Sequence, residues 1–312
     1  MMFNNHINYC LLSNDVETHS IWYNRLRDET GLAVYHYAMP KILELYRSYN
    51  IKATFFYTGE IAKLVPDVVR MVIKDGHEIG CHGLLHEVDK AFDVLPLNVQ
   101  TAHLKKAKSL LEDISGTEVV SFRAPALRVN KHTPIALQEA GFKIDSSISP
   151  QRLDMFLSFG SMNKFQRLLS PRSPYVTKTN NLARRGSGQI IEIPLSSFIF
   201  PLVGSTMRAF PKTNTALSRL LIMESRKKNI PIVTYMHPNE FIDESSESVD
   251  KIPGRSKNII EYLLADVVRR KIKVKNLGPG AFRLYEDQIK LLKKYDYEFI
   301  TMKDYCRVKG LL

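Results

Sequence analysis

The strongest constraint on what this chain can fold into is an alternation that persists along most of its length. Short apolar, β-branched or aromatic runs are followed again and again by stretches with helical periodicity. Tyr9 to Leu12, ATFFY at 53–57, HEIGCH at 77–82, VVSFRA at 119–124, FKIDSS at 142–147, IIEIPL at 190–195, PIVTYMH at 231–237 and YEFIT at 297–301 read as strands. Helices are expected at His36 to Asn50, Ile61 to Lys74, Val99 to Ile114, Thr133 to Ala140, Thr215 to Lys228 and 283–295, with Gly76 and Gly141 where C-terminal caps belong. Strand–helix alternation with right-handed crossovers gives a parallel sheet with helices outside it. An open doubly wound sheet and a closed barrel both satisfy that pattern. No glycine-rich phosphate fingerprint follows the first strand, which removes the usual dinucleotide-binding reading and favours a single barrel.

Two stretches break the rhythm. Residues 150–188, rich in Ser, Arg, Asn and Pro and carrying the pair Arg184–Arg185, read as a long excursion over one face. Residues 242–282 read as a variable insertion, mostly loop, before the closing helix and strand. Because a strand resumes after the excursion, the 312 residues are expected to form one domain, 1–312.

Composition narrows the class. An apolar content of 44% with 10% aromatics excludes a disordered chain. Three widely separated cysteines (Cys10, Cys81 and Cys306) make no disulfide framework and fit a reducing compartment. The first residues show no basic segment followed by an apolar one. No apolar run approaches the ~20 residues needed to span a bilayer. A cytoplasmic protein, or one peripheral at the inner face of the membrane, is therefore expected. The net charge of +12 is uneven, with 15 Lys and Arg against 7 Asp and Glu from Lys251 to Leu312. A solvated basic face is the plain reading of that excess; phosphate-bearing substrates or an anionic membrane surface are the functional ones. Nucleic acid is not expected, since no nucleic-acid-binding signature accompanies the charge.

The polar residues of interest fall at the C-terminal ends of the strands. Asp15 and Glu17 follow the first, His82 ends the third with His86 four residues on, Arg123 ends the fourth, Asp145 the fifth, and His237 the seventh or eighth. In an α/β barrel those ends converge on one face, and that face carries the active site. Taken singly, each has a plainer reading. Asp15 or Glu17 suits a helix N-terminus, Arg123 a structural ion pair, His237 a hydrogen-bonded core histidine and Asp145 a turn. Two imidazoles and a carboxylate can also hold Zn²⁺ or a similar divalent ion while leaving positions open. Cys81 alternates with His82 along the strand, so it is expected in the core.

The segments NDVE at 14–17, GHEIGCHGLLH at 76–86, FRAP at 122–125, FKIDSS at 142–147 and TYMHPNEF at 234–241 together resemble the polysaccharide deacetylases of the NodB-homology type, carbohydrate esterase family 4. KATFFYTGEIAKLVPDVVRMVIKDGHEIGCH at 52–82 and YEFITMKDY at 297–305 strengthen the likeness, which covers most of residues 8–242. The resemblance implies a distorted (β/α)7-type barrel that removes N-acetyl groups from sugars with a divalent metal, usually zinc, with Co²⁺, Mn²⁺, Ni²⁺ or Fe²⁺ as alternatives. On the motif match Asp15 is the general base, His82 and His86 are metal ligands, Arg123 holds the base carboxylate, and Asp145 tunes His237, the general acid. Val16 stands where the pattern has a second, metal-binding aspartate. Glu17 is the nearest substitute, as in an Asp-Val-Glu branch, and Asp15 is the alternative ligand. Leu127 replaces the glycine after Arg-x-Pro, and Ser149 an aromatic residue of the Asp motif.

The substrate implied is an acetamido sugar, in a phosphate- or lipid-linked glycan precursor if the basic C-terminal region and Arg184–Arg185 meet an anion. Acetate and an amino sugar would be the products, with the Ala126 N–H offered to the oxyanion. Two rival readings are a metal-poor relative that binds glycans without hydrolysis and a non-haem iron oxygenase, whose usual scaffold would be all-β.

Overall fold

The computed structural model describes residues 7–85, 91–151, 168–245 and 269–312. Ten strands form the main sheet. In chain order they are β1 (Asn8–Val16), β2 (Thr54–Tyr57), β3 (Glu78–Cys81), β4 (Ser121–Phe122), β5 (Ile144–Asp145), β6 (Tyr175–Lys178), β7 (Asn181–Arg185), β8 (Ile191–Glu192), β9 (Ile232–Met236) and β10 (Tyr297–Phe299). Seven run parallel in the order β9-β1-β2-β3-β4-β5-β8, and β10 lies parallel to the start of β1. The sheet curls until the chain beyond β8 approaches β9, where the Ser196 N–H donates to the Val233 carbonyl at 2.9 Å. This is the expected (β/α)7-type barrel, and its helices exclude the all-β scaffold of an oxygenase.

Period-two alternation along the strands sorts side chains into two apolar clusters. Leu11, Phe56, Val120, Ile144, Ile191, Ile193 and Val233 fill the inside of the curl. Cys10, Leu12, Val16, Phe55, Tyr57, Cys81 and Phe122 face outward against the helices. Gly80, on the inner face of β3, is required by close packing: a Cβ there would lie 2.5 Å from the Phe56 ring.

Several elements differ from the sequence expectation for identifiable reasons. The helix expected at Ile61 to Lys74 is two, Gly59–Leu64 and Asp67–Lys74, because Pro66 offers no N–H to continue the first. The described part of the 150–188 excursion is not only loop: β6 and β7 form an antiparallel hairpin that extends the sheet from β8. Residues 152–167 of it, and 246–268 of the insertion, lie outside the described residues. Beyond β10 a further helix, Met302–Val308, is capped by Thr301, whose hydroxyl accepts from the Asp304 N–H at 3.0 Å. Its Met302, Tyr305 and Cys306 join the inner cluster and close the lower end of the barrel. No helix among the described residues is long and apolar enough to cross a membrane.

Candidate active site

Strand register assembles the site. Val16, Tyr57, Cys81, Phe122, Asp145 and Glu192 are successive Cα partners across β1, β2, β3, β4, β5 and β8. Val16, Tyr57, Cys81 and Phe122 face outward. One residue further on, the chain turns inward, bringing Glu17, His82, Arg123 and Ser146 to the upper end of the barrel interior. On the other side of β1, Asn14 pairs with Met236, so His237 stands beside Asp15. Residues more than two hundred positions apart thus meet in one place.

Arg123 is the centre. It is fully buried, and its Nη1 donates to Asp15 Oδ1 and to Ser13 Oγ, both at 2.8 Å. Nε donates to the Ser146 carbonyl at 3.0 Å and Nη2 to Ser146 Oγ at 2.9 Å. The guanidinium carbon lies 4.4 Å from the Phe56 ring centroid and 4.8 Å from that of Tyr235, a cation between two aromatic rings. Asp15 is thereby held by one oxygen. Its other oxygen is 4.0 Å from His82 Nε2. His82 Nδ1 lies 2.8 Å from the Arg123 carbonyl, which can only accept, so Nδ1 carries a proton and Nε2 is the ring nitrogen that faces the carboxylate.

Glu17 is buried near this cluster, and its charge acts on His237. Asp15, Glu17, His82, Arg123 and His237 are therefore brought together. His86 lies outside the described residues. Among the described residues no group of three or more His, Cys, Asp or Glu side chains is arranged to hold a metal ion. Asp15 and His82 supply a converging pair.

The expected role of Asp145 requires correction. Its place in the outward row, alternating with inward Ile144, points it away from His237. Asp145 instead accepts from Ser147 Oγ at 2.7 Å and from Ser147 N at 3.2 Å and is hydrogen-bonded to Glu192, whose Oε1 accepts from Ile148 N at 3.0 Å. Burial raises both carboxyls, Glu192 well above the usual range, with the neighbouring Asp145 charge adding to it. Ser147 Oγ also accepts from Ala124 N at 2.9 Å. The pair thus fixes the 145–148 turn, whose Ser146 holds Arg123.

The carboxylate on His237 is Glu240, which sequence reasoning did not single out. Its Oε1 lies 3.0 Å from His237 Nδ1. Burial opposes the charged imidazole, but the Glu240 hydrogen bond and the charges of Glu17, Glu240 and Asp15 outweigh it and raise the His237 pKa to about 9. The available signal was local, Pro238 starting a turn and an acid three residues past the histidine. Ser13 and Tyr235, each two residues before a chosen residue on the same strand face, were legible from alternation alone. Cys81 is buried in the outer core as expected, its thiol pushed up to about 12 by burial.

At the motif that follows Arg123, Ala126 (φ 51°) and Leu127 (φ 56°) are consecutive left-handed residues. That geometry suits glycine at 127, but the Leu127 side chain fills the inner cluster. Ser149, where an aromatic was expected, is buried.

Comparison with known proteins agrees with this geometry. Residues 29–144 match the polysaccharide deacetylase family model. A peptidoglycan deacetylase of Helicobacter pylori is 29% identical over 118 residues, 38% of this chain and 39% of that one. A chitooligosaccharide deacetylase of Azorhizobium caulinodans is 35% identical over 89 residues, 28% of this chain and 40% of that one. The aligned segment thus spans about two fifths of each relative's length. A solved Mycobacterium smegmatis structure assigned to the polysaccharide deacetylases superposes over 100% of this chain and 94% of its own, with TM-score 0.62 and 18% identity. One from Pseudomonas aeruginosa covers 95% and 90%, with TM-score 0.59 and 14% identity. Those two likenesses are of fold.

Proposed function

We propose that this chain, whose residues 29–144 match the polysaccharide deacetylase family model, hydrolyses the N-acetyl group of an acetamido sugar, releasing acetate and leaving an amino sugar. One observation carries the reading: Arg123 clamps one oxygen of Asp15 while the other faces His82 Nε2, with His237 beside them.

The donors present suit a divalent ion. His82 Nδ1 is held by a backbone carbonyl, the usual support for a ligating imidazole, and the Asp15 carboxylate lies 4.0 Å from its Nε2. Glu17, His82 and His86 would hold the ion, and mixed imidazole and carboxylate donors favour zinc. When bound, such an ion lowers the pKa of a water toward ~7 and polarises a carbonyl.

The chain's own groups supply the remaining chemistry. Asp15 accepts the proton of the attacking water as its oxygen bonds to the acetyl carbon. Arg123 fixes the orientation of Asp15 through a charge-assisted hydrogen bond to one of its oxygens. The Ala126 N–H is offered to the oxyanion from its strained turn. As the C–N bond breaks, its electron pair goes to nitrogen and His237 delivers a proton there. Against the burial that opposes it, the Glu240 hydrogen bond, with the charges of Glu17 and Asp15, raises the His237 pKa and favours the protonated form that a general acid needs.

Substrate choice is proposed on charge. Lys273 Nζ donates to Asn24 Oδ1 at 3.1 Å, bringing the basic C-terminal segment to the turn that follows Glu17. An anionic group on the acetamido sugar, such as the phosphate of a lipid- or nucleotide-linked precursor, suits that rim. An anionic membrane surface displaying the precursor suits it as well. Turnover of a phosphate-linked acetamido sugar should exceed that of the bare sugar at low salt and converge with it at high salt; equal rates at low salt would remove this part of the reading.

The metal assignment is tested by elemental analysis after purification without chelators or a histidine tag. Near-stoichiometric metal is expected in wild type and Asp15→Asn, with loss in Glu17→Gln and His82→Ala. Loss in Asp15→Asn with retention in Glu17→Gln would make Asp15 the ligand. Absence of metal from wild type after adding back Zn²⁺, Co²⁺ or Mn²⁺ would contradict the metal-dependent reading.

A further inference from the structure

We propose that Glu240 is the positioning carboxylate of His237, that Arg208 holds Glu240 in place, and that Gly204 is the gap that admits it. The inference rests on the deacetylase reading only for the role of His237 as acid.

The end of one strand, a helix and a loop segment enclose Glu240. The end of β9 places His237, and the turn Pro238–Phe241 folds Glu240 back so that Oε1 meets both the His237 N–H, at 3.2 Å, and Nδ1, at 3.0 Å. Helix Gly204–Ala209 brings Arg208 Nε to Glu240 Oε2. The segment before helix Pro279–Lys294 completes the enclosure. Arg208 Nη1 donates to the carbonyls of Lys273 and Lys275 at 2.7 and 2.8 Å, Asn276 Nδ2 to the Arg208 carbonyl at 2.7 Å, and Gly278 N to the Glu240 carbonyl at 2.9 Å. Gly204 is the closest approach, since a Cβ there would lie 2.5 and 2.6 Å from the two Glu240 oxygens.

A salt bridge serving stability alone would not need the histidine. Glu240 and Arg208 side chains are 1% and 3% exposed, whereas that of His237 is 27% exposed. The imidazole therefore has one side fixed in the protein and another toward solvent. A carboxylate only accepts, so Nδ1 keeps its proton and Nε2 is the nitrogen that exchanges one. In the reaction the Nε2 proton leaves with the amine, the other proton stays on Nδ1 in its hydrogen bond to Glu240, and the imidazolium becomes neutral imidazole. Charged groups acting on the ring are Glu240, Glu17 and Asp15, with Tyr235 edge-on at 5.3 Å between ring centroids. Asp145 faces the other side of the sheet and is not among them.

The test is imidazole ¹⁵N NMR of the full chain, which needs no substrate, paired with kinetics on an N-acetylated glycan oligomer. Wild type and Asp145→Asn should both show the Nδ1-protonated His237 signature with a slowly exchanging proton. Glu240→Gln should lose it, and kcat should fall roughly 10²-fold with KM little changed. Glu240→Asp should recover part of kcat. Should Glu240→Gln fail to fold, Gly204→Ala and Arg208→Lys, which displace the carboxylate while leaving it charged, should weaken the same signature. An unchanged Nδ1 signature and kcat in Glu240→Gln, or its loss in Asp145→Asn, would overturn the proposal. A normal signature without acetate release by wild type would sink the deacetylase reading and leave the positioning role standing.

Discussion

A buried arginine is costly unless its charge and its donors are both met, and Arg123 has Asp15, Ser13 and both acceptors of Ser146 around it. Removing it, as in Arg123→Met, leaves the Asp15 charge buried without its partner. Chemical denaturation should show a loss of about 3–5 kcal/mol. Asp15→Asn retains the Arg123 hydrogen bond but removes the base, so activity should fall roughly 10²–10⁴-fold with the fold intact by circular dichroism. Glu192 makes a different prediction. Its folded pKa stands well above the 4.5 of an unfolded glutamate, so the folded state binds the extra proton. Its favourable contribution is fully present below that value and is lost as pH rises toward the folded pKa. Glu192→Gln, fixed in the neutral form, should therefore gain stability relative to wild type as pH rises from the unfolded carboxyl range toward neutrality. A difference between the two proteins that does not vary with pH would show that Glu192 is ionised in the fold.

At the scale of elements, strand ends were legible because alternation and composition are local properties. The NDVE, FRAP and TYMHPNEF segments place Asp15, Arg123 and His237 at strand ends without knowledge of strand order. Asp145 was misplaced for the complementary reason: which face it occupies depends on the register of β5 against β4, and only alternation carried through the sheet assigns it outward. Glu240 escaped because its contact with His237 is made by a turn, where no periodicity operates. Pro66, which divides a helix, interrupts an apolar stripe that is continuous in the sequence, so periodicity alone does not reveal the break. Packing inside the curl gives two further predictions. Gly80→Ala would drive a methyl against the Phe56 ring, which lies beneath Arg123, and should cost about 1–3 kcal/mol. Leu127→Gly relieves a left-handed leucine but empties part of the inner cluster. A net destabilisation of about 2–4 kcal/mol is expected, and a gain in stability would show that backbone strain outweighs burial there.

Across the whole molecule, seven parallel strands, a terminal helix plugging one end and polar side chains gathered at the other make a single-ended barrel. That polarity follows from β1 itself, whose inward residues run from Tyr9 and Leu11 to Ser13 and Asp15, apolar at the plugged end and polar at the open one. The central claim is that this open end removes acetyl groups from sugars, and the most direct measurement is acetate release paired with mass analysis of the glycan. Metal-supplemented protein should release one acetate for each amine that appears on an N-acetylated oligosaccharide or its phosphate-linked form, and Asp15→Asn should abolish both signals together. Acetate release unaffected by Asp15→Asn, or no release from any N-acetylated sugar by a metal-loaded wild type, would contradict the account.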